Sequence, residues 1–152
     1  MDLLVVAVGR SRDALTDGLF RDYARRCPWP IRLIEVQPRG NVPPERRKAA
    51  EAGLLLAAIP PGAIVVALDE RGRDLTSETF AERLGDWRDQ GRRAAAFLIG
   101  GPDGLAESVL RAADLGLALG RMTWPHRLVR VMLAEQLYRA TTILAGHPYH
   151  RA

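Results

Sequence analysis

Apolar runs and amphipathic segments alternate along the chain, and this alternation predicts both the elements and the fold class. Five short, largely apolar runs are typical of strands buried in a sheet: residues 3–9, 31–36, 63–69, 94–100 and 115–120. Five other segments place apolar residues on one helical face: residues 13–27, 44–59, 77–90, 105–113 and 125–145. The alternation favours an α/β fold with a mostly parallel sheet and helices on both faces.

Polar and glycine residues mark the ends of these elements. Ser77 is predicted to be the N-cap of the third helix, and Asp103 is able to cap the fourth. Gly146 is a plausible C-cap of the last helix. Residues 70–74 read as a polar loop. With no internal repeat or linker, we expect one domain over residues 1–152.

The composition is that of an ordinary soluble protein with a basic balance. Apolar residues make up 47% and charged residues 26%, and the formal net charge is +4. The cations are 21 arginines and one lysine, Lys48. Guanidinium forks suit phosphates and base edges, which permits an RNA partner, although a genome-wide preference for arginine explains the bias equally well.

Cysteine usage and hydropathy indicate a cytoplasmic protein. Cys27 is the only cysteine, which excludes an internal disulfide and favours a reducing compartment. The first apolar run is a poor signal peptide, and Pro60 and Pro61 break the longest apolar stretch, so we expect no membrane association. Three scattered histidines and one cysteine lack ligand spacing, and we expect no metal.

Three strand exits have unusual sequences, and ligands of parallel sheets bind at that edge. They are LDERG (68–72), GGPDG (100–104) and GRMTWPH (120–126). None is a dinucleotide fingerprint or a phosphate-binding loop, and the chain has no serine-hydrolase elbow. GGPDG is either a tight turn or a bare backbone that a ligand approaches closely.

The remaining candidates each have a structural and a functional interpretation. Asp69 could accept hydrogen bonds from a sugar or cap a turn. Met122 and Trp124 could be core residues or could flank an adenine or a thioether. His126 is more often structural than catalytic at such a position. The tail GHPYHRA (146–152) is either a frayed end or a group of side chains suited to a nucleobase and its phosphate.

Several stretches together resemble the ribosomal RNA large-subunit methyltransferase H family, small bacterial SPOUT methyltransferases. They are VAVGR (6–10), LDERGRDLTSETFA (68–81), FLIGGPDGL (97–105), MTWPHRLVRVMLAEQLYRA (122–140) and HPYHR (147–151). The resemblance covers essentially the whole chain. The segment from Met122 to Ala140, together with the tail, is its most specific part.

The resemblance implies a fold, a cofactor and a reaction. The fold would be an α/β sheet with a C-terminal trefoil knot, which departs from the usual rule that chains do not thread loops. The protein would be a homodimer that uses S-adenosylmethionine. Its reaction would be methylation of N3 of a pseudouridine in helix 69 of 23S rRNA, at position 1915, within the 50S subunit or 70S ribosome.

The resemblance also implies which residues form the site. Cofactor contacts carry over to Leu68, Gly100, Leu119, Gly120, Arg121, Met122, Thr123 and Trp124. Gly120 departs from the serine expected in many relatives. In the tail, His150 would be the base, Tyr149 would stack on or hydrogen-bond the uracil-like ring, and Arg151 would stabilise charge or hold a phosphate.

Two alternatives differ in substrate or in chemistry. The first is a SPOUT methyltransferase acting on tRNA, and the second is a non-catalytic flavodoxin-like module that binds a nucleotide. A basic surface could grip rRNA phosphates. It comprises Arg10, Arg12, Arg21, Arg25 and Arg26.

Overall fold

The computed structural model describes residues 1–151, and its elements alternate as the hydrophobic pattern predicts. In chain order they are β1 (Asp2–Val8), α1 (Ala14–Arg26), β2 (Ile31–Val36), α2 (Pro44–Ala57), β3 (Ile64–Asp74), α3 (Ser77–Asp89), β4 (Ala94–Ile99), α4 (Glu107–Ala112), β5 (Leu115–Ala118) and α5 (His126–Leu144). The predicted elements are therefore confirmed, with boundaries that differ by a few residues at most except at β3.

All five strands run parallel in one sheet, in the order β2-β1-β4-β3-β5. β1 lies between β2 and β4, so that Leu3 pairs with Ile31 on one side and Ala95 on the other. Because the strands share one direction, their carboxyl ends meet at one edge. The predicted α/β class is confirmed; the trefoil knot stays a prediction.

Alternate side chains of the central strands enter two separate cores. Leu3 and Val5 of β1 pack beneath α1, α3 and α5, whereas Leu4 and Val6 pack beneath α2 and α4. All four side chains are at most 3% exposed. Burial on both faces explains why the strands read as continuous apolar runs instead of alternating ones. It also confirms the prediction of helices on both faces.

The predicted polar loop at residues 70–74 is wrong, because these residues belong to β3. Leu117 of β5 pairs with Leu68 and again with Arg73, so β3 makes an excursion between two points of contact. A Cβ on Gly72 would lie 2.7 Å from the backbone carbon of Gly116 and from the backbone nitrogen of Leu117. Only glycine permits this close approach of the β3 and β5 backbones.

The structure contradicts two of the predicted helix caps, Ser77 for α3 and Asp103 for α4. Thr76, not Ser77, caps α3: its hydroxyl accepts from the backbone N–H of Thr79 at 3.1 Å. Ser77 instead donates its hydroxyl to Gln136 on α5 at 2.8 Å. Thr76 and Ser77 both carry the hydroxyl that favours an N-cap, so the sequence does not distinguish them. The backbone of Thr76 has the extended conformation that a cap requires.

Asp103 does not cap α4, because that helix begins later than predicted. The residue at the cap position is Ala106, which makes no side-chain hydrogen bond. The C-cap of α5 is Ala145, one residue before the predicted Gly146; Gly146 follows it with φ of +67°, a left-handed conformation that favours glycine and ends the helix.

A buried arginine ties α5 to the exits of β1 and β2. Arg130 is 6% exposed, and its Nη1 donates to the Glu35 carboxylate at 2.7 Å. Its Nη2 donates to the carbonyls of Gly9 at 2.7 Å and Val8 at 3.3 Å. Burial alone would raise the pKa of Glu35, but hydrogen bonds from Arg130 and Ser11, with nearby arginine charge, hold that pKa below its usual value.

Replacing Glu35 with glutamine is expected to lower the free energy of unfolding by about 1 kcal/mol near pH 7, because a charge-assisted hydrogen bond becomes neutral. Because folding lowers the pKa of Glu35, the stabilisation by its carboxylate is complete above the pKa of the unfolded chain, about 4.3. The stabilisation is lost as the pH falls through the lower pKa of the folded protein. Urea unfolding of both proteins near pH 7 and pH 3 measures it. An equal difference at both pH values would contradict the assignment.

Candidate functional site

The three unusual strand exits surround one cleft at the carboxyl edge of the sheet. The cleft has a volume of about 570 Å³, within the range of small-molecule sites. Seven of the eight residues predicted to contact a cofactor line it: Leu68, Gly100, Leu119, Gly120, Met122, Thr123 and Trp124. Lys48 of α2, Asp69 of β3 and His126 of α5 also line it.

The GGPDG turn forms one wall of the cleft with its backbone. The Gly104 N–H donates to the Gly101 carbonyl at 3.0 Å, and Gly104 has φ of +79°. A Cβ on Gly100 would lie 2.8 Å from the carbonyl carbon and oxygen of Gly104, so the turn closes only with glycine there. The two interpretations of this motif are therefore compatible: the turn is tight, and its bare backbone faces the cleft.

The loop after β5 forms the opposite wall and is tied to its neighbours. The Trp124 indole N–H donates to the Leu119 carbonyl at 2.9 Å, which folds the loop back on itself. The Thr123 hydroxyl donates to the Glu70 carboxylate at 3.3 Å and so joins the exits of β5 and β3. Met122 is 75% exposed at the rim. The interpretation of Met122 as a core residue is wrong.

Arg121 is the predicted cofactor residue that the structure leaves outside the cleft lining. Its side chain is exposed, and its Nε lies 3.9 Å from the Asp74 carboxylate. Its neighbours Gly120 and Met122 line the cleft, whereas the Arg121 side chain is 94% exposed. Its predicted contact with a cofactor therefore has no support from the geometry of this chain alone.

Among the titratable side chains of the cleft, an acid and an imidazole have shifted pKa values. Asp69 accepts from the Arg71 backbone N–H at 2.8 Å and from its Nε at 3.1 Å, and these contacts lower the pKa of the carboxyl. Burial and the charge of Arg130 lower the pKa of His126, and together they outweigh a hydrogen bond to the Gly100 backbone, which acts to raise that pKa. Asp69 is thus an anion and His126 a neutral imidazole near pH 7.

Tyr149 and His150 of the tail are packed against the helices, so the interpretation of a frayed end is wrong for these two residues. The Tyr149 ring lies 4.7 Å from the Tyr138 ring, centroid to centroid. Its hydroxyl donates to the Glu135 carboxylate at 3.0 Å. Burial, followed by the contact with Glu135, raises the pKa of Tyr149 to about 12, so the phenol stays protonated at neutral pH.

His150 bridges two helices through both of its ring nitrogens. Nε2 lies 2.7 Å from the Glu78 carboxylate on α3, and Nδ1 lies 3.1 Å from the Arg139 guanidinium on α5. A guanidinium only donates, so Nδ1 accepts and the Nε2 proton points to Glu78. Arg151 is exposed. None of the three predicted catalytic residues lines the cleft of its own chain.

A second cavity lies between the cleft and the residues that hold the tail. It has a volume of about 490 Å³ and shares Leu117, Leu119 and Gly120 with the cleft. Its far wall includes Glu135, the partner of the Tyr149 hydroxyl. The exit of β5 thus separates the two cavities and contributes to both.

Sequence reasoning missed the residues that hold the tail and the turn. Glu78, Glu135 and Arg139 contact the tail, and their helical positions alone give no sign of it. Glu51 lies behind the GGPDG turn. One signal was available for it: an acidic residue directly before Ala52 and four positions before Leu55, on the apolar face of α2.

Residues 1–151 contain no group of three or more histidine, cysteine or acidic side chains arranged to hold a metal ion. Among the helices given above, none combines the length and the apolar character needed to cross a bilayer.

Comparison with known proteins decides the family. A family model described as predicted SPOUT methyltransferase matches residues 1–150. A protein of Rhodospirillum centenum named ribosomal RNA large subunit methyltransferase H is 62% identical over 152 residues, which is 100% of both chains. Its namesake in Paramagnetospirillum magneticum is 56% identical over 151 residues, 99% of each chain. The chain belongs to the ribosomal RNA large subunit methyltransferase H family of SPOUT methyltransferases.

Solved structures support the SPOUT methyltransferase fold independently. A probable methylase family protein from Haemophilus influenzae superposes with a TM-score of 0.65 at 14% identity, covering 99% of this chain and 70% of that one. TrmJ from Z. mobilis superposes with a TM-score of 0.55 at 16% identity, covering 93% of this chain and 70% of that one. At such identities the likeness concerns the fold alone.

Proposed function

We propose that the protein is an S-adenosylmethionine-dependent methyltransferase acting on N3 of the pseudouridine at position 1915, in helix 69 of 23S rRNA, within the 50S subunit or 70S ribosome. The observation that carries the proposal is the single cleft formed by three strand exits, with glycine backbone along its wall. The curated relatives are named as ribosomal RNA large subunit methyltransferases, which supports rRNA as the substrate class. A ribosomal substrate agrees with a cytoplasmic location.

The cleft has the chemistry that this methyl donor needs. Its wall at Gly100 and Gly120 presents no side chain, which allows a flat ring to meet the main chain. Three carboxylates, those of Asp69, Glu70 and Asp103, line the cleft beside the cations of Lys48 and Arg71, and this excess of one negative charge suits a ligand with net positive charge. Trp124 offers an aromatic face. The residues proposed to hold the donor are Leu68, Gly100, Leu119, Gly120, Met122, Thr123 and Trp124.

The donor, when bound, supplies a methyl group that its sulfonium already activates. The protein's own contribution is to place the nucleophile, exclude water and remove the proton from N3 of the ring. We assign the proton transfer to His150. In the packed tail its Nδ1 accepts from Arg139, so an incoming ring has to displace that guanidinium before Nδ1 receives the proton.

The other two tail residues have complementary roles in this proposal. Tyr149 remains a hydrogen-bond donor, because its pKa of about 12 keeps the phenol protonated, and its ring offers a stacking face. The exposed Arg151 stabilises the negative charge that develops on the deprotonated ring or holds a phosphate.

We further propose that the protein is a homodimer and that the tail serves the cleft of the other copy. The support is geometric: the tail is ordered on α5, yet residues 149–151 do not line the cleft of their own chain. A second copy would bring a tail to the cleft without unpacking it.

The proposed function is tested by transfer of a labelled methyl group to ribosomes that lack the modification, followed by mapping of the labelled nucleotide. The expected label is on the pseudouridine at position 1915. Label on tRNA alone would favour the alternative SPOUT activity. Calorimetry with S-adenosylmethionine, FMN and ATP provides the second readout, because binding of FMN or ATP alone would favour the flavodoxin-like module.

A further inference from the structure

A buried glutamate lies directly behind the wall of the cleft. Glu51 is on the inner face of α2 and is 4% exposed, beside Ala52 and Leu55 in an otherwise apolar core. Its Oε2 has no hydrogen-bond partner in the described part of the chain. Burying a carboxylate with incomplete partners is costly, whereas an apolar side chain of similar size would pack there without that cost. The residue therefore calls for an explanation beyond packing.

The carboxylate of Glu51 lies against the backbone of the GGPDG turn. A Cβ on Gly101 would be 3.0 Å from Oε1 and also 3.0 Å from Oε2. Burial raises the pKa of Glu51, as does Asp103 in the same turn, while Arg47 and a hydrogen bond from the Gly101 backbone act in the opposite direction. The group thus contacts the turn from the side that faces α2.

We propose that Glu51 is a positioning residue that holds the Gly100–Gly104 turn in the shape that receives the methyl donor. The inference rests on the proposed function, since it takes the cleft to be the donor site. Glu51 does not line the cleft, so it acts through the turn and not by touching the ligand.

The turn needs such a support because it has little side-chain anchorage of its own. Three of its five residues are glycine, and glycine backbone has the greatest conformational freedom. Its internal link is the hydrogen bond from Gly104 to Gly101. A fixed acceptor behind Gly101 restricts the turn before the ligand arrives, which lowers the ordering cost of binding.

Two substitutions of nearly equal size separate positioning from packing. Glu51→Gln keeps a carbonyl acceptor for the turn, and Glu51→Met keeps the length of the side chain but removes both oxygen acceptors. Leu55→Ala is the matched control, because Leu55 is 1% exposed one helical turn further along α2 and its truncation weakens the same core without touching the turn.

The measurements are the Kd for S-adenosylmethionine by calorimetry, the melting temperature, and amide hydrogen exchange of residues 100–104 without ligand. We expect Glu51→Met to weaken donor binding about tenfold, as for loss of one buried hydrogen bond, and to accelerate exchange in the turn. Its melting temperature should be equal to or above that of the parent protein. Glu51→Gln should bind within about threefold of the parent, and Leu55→Ala should melt lower with nearly unchanged affinity.

Each other outcome has a definite meaning. Donor binding by Glu51→Met within about twofold of the parent, or an affinity loss no larger than that of Leu55→Ala, would overturn the positioning role. A parent protein that does not bind S-adenosylmethionine at all would instead count against the proposed function. The exchange rates of residues 100–104 in Glu51→Met and in the parent would still report whether Glu51 restrains the turn.

Discussion

Replacing His150 with alanine is expected to lower the single-turnover rate of methyl transfer by about 10²–10⁴-fold, the usual contribution of a positioned general base. The Kd for S-adenosylmethionine should not change, because the imidazole contacts Glu78 and Arg139 and does not line the cleft. Rapid-quench transfer from labelled donor to ribosomes measures the rate, and calorimetry measures the affinity.

The effect on chemistry must be separated from the role of His150 in holding the tail. His150→Gln keeps an amide that can contact Glu78 but cannot accept the proton, so both variants should be equally slow if the imidazole is the base. His147→Ala removes the other histidine of the tail, which accepts from the Tyr149 N–H at 3.1 Å, and should retain most of the rate. If His150→Gln transferred the methyl group at close to the parent rate, the role of His150 would be to hold the tail and not to act as the base.

Replacing Gly100 with alanine is expected to weaken donor binding by about 100-fold and to slow transfer correspondingly. The new Cβ would lie 2.8 Å from the Gly104 carbonyl and 3.1 Å from the Leu105 side chain, so the backbone of the turn has to move. A displacement of about 1 Å in a site that positions reactants costs on this scale. Calorimetry and the steady-state KM for the donor report it.

Gly53→Ala is the matched control for this substitution. Gly53 lies within α2, and a Cβ there would meet nothing within 4 Å. Alanine in a helix is more stable than glycine by up to about 1 kcal/mol, so this protein should melt higher and bind the donor as before. If Gly100→Ala bound the donor as tightly as Gly53→Ala, the GGPDG wall would have no part in the site.

Two defective variants, a chain without its tail and Gly100→Ala, together test the proposed dimer. Chains that end at residue 147 lack a tail, and Gly100→Ala chains have a distorted cleft. If the tail of one copy serves the cleft of the other, mixing the two should restore transfer, because a mixed dimer contains one intact cleft beside one intact tail. No recovery after confirmed subunit exchange would indicate that tail and cleft act within one chain.

The elements and the fold class could be predicted from the sequence because the physics that fixes them is local. Apolar runs such as residues 94–99 and helical faces such as that of α3 carry their own periodicity. The strand order could not be predicted, since a strand buried on both faces looks alike beside any neighbour. Residues 73–74 could not be predicted for a different reason, because their polar side chains conceal backbone pairing with Leu117 and Ala118.

The cleft could be predicted from the sequence because it follows from the strand ends, whereas the contacts of the tail join residues that are far apart in the chain. Glycine clusters at strand ends point to one edge of the sheet through topology alone. In contrast, His150 contacts Glu78, which lies 72 residues earlier in the chain, and nothing in either local pattern indicates the pair. Glu51 falls between these cases, because its charge conflicts with the apolar face on which it sits.

The place of β1 inside the sheet, between β2 and β4, bears on how the protein is made. β1 is synthesised first, yet one of its two neighbours is β4, which pairs Asp2 with Ala94. During translation the first strand therefore waits, with one edge open, until well over half of the polypeptide has emerged. Until then the open edge of β1 presents unpaired backbone groups with which another chain could pair.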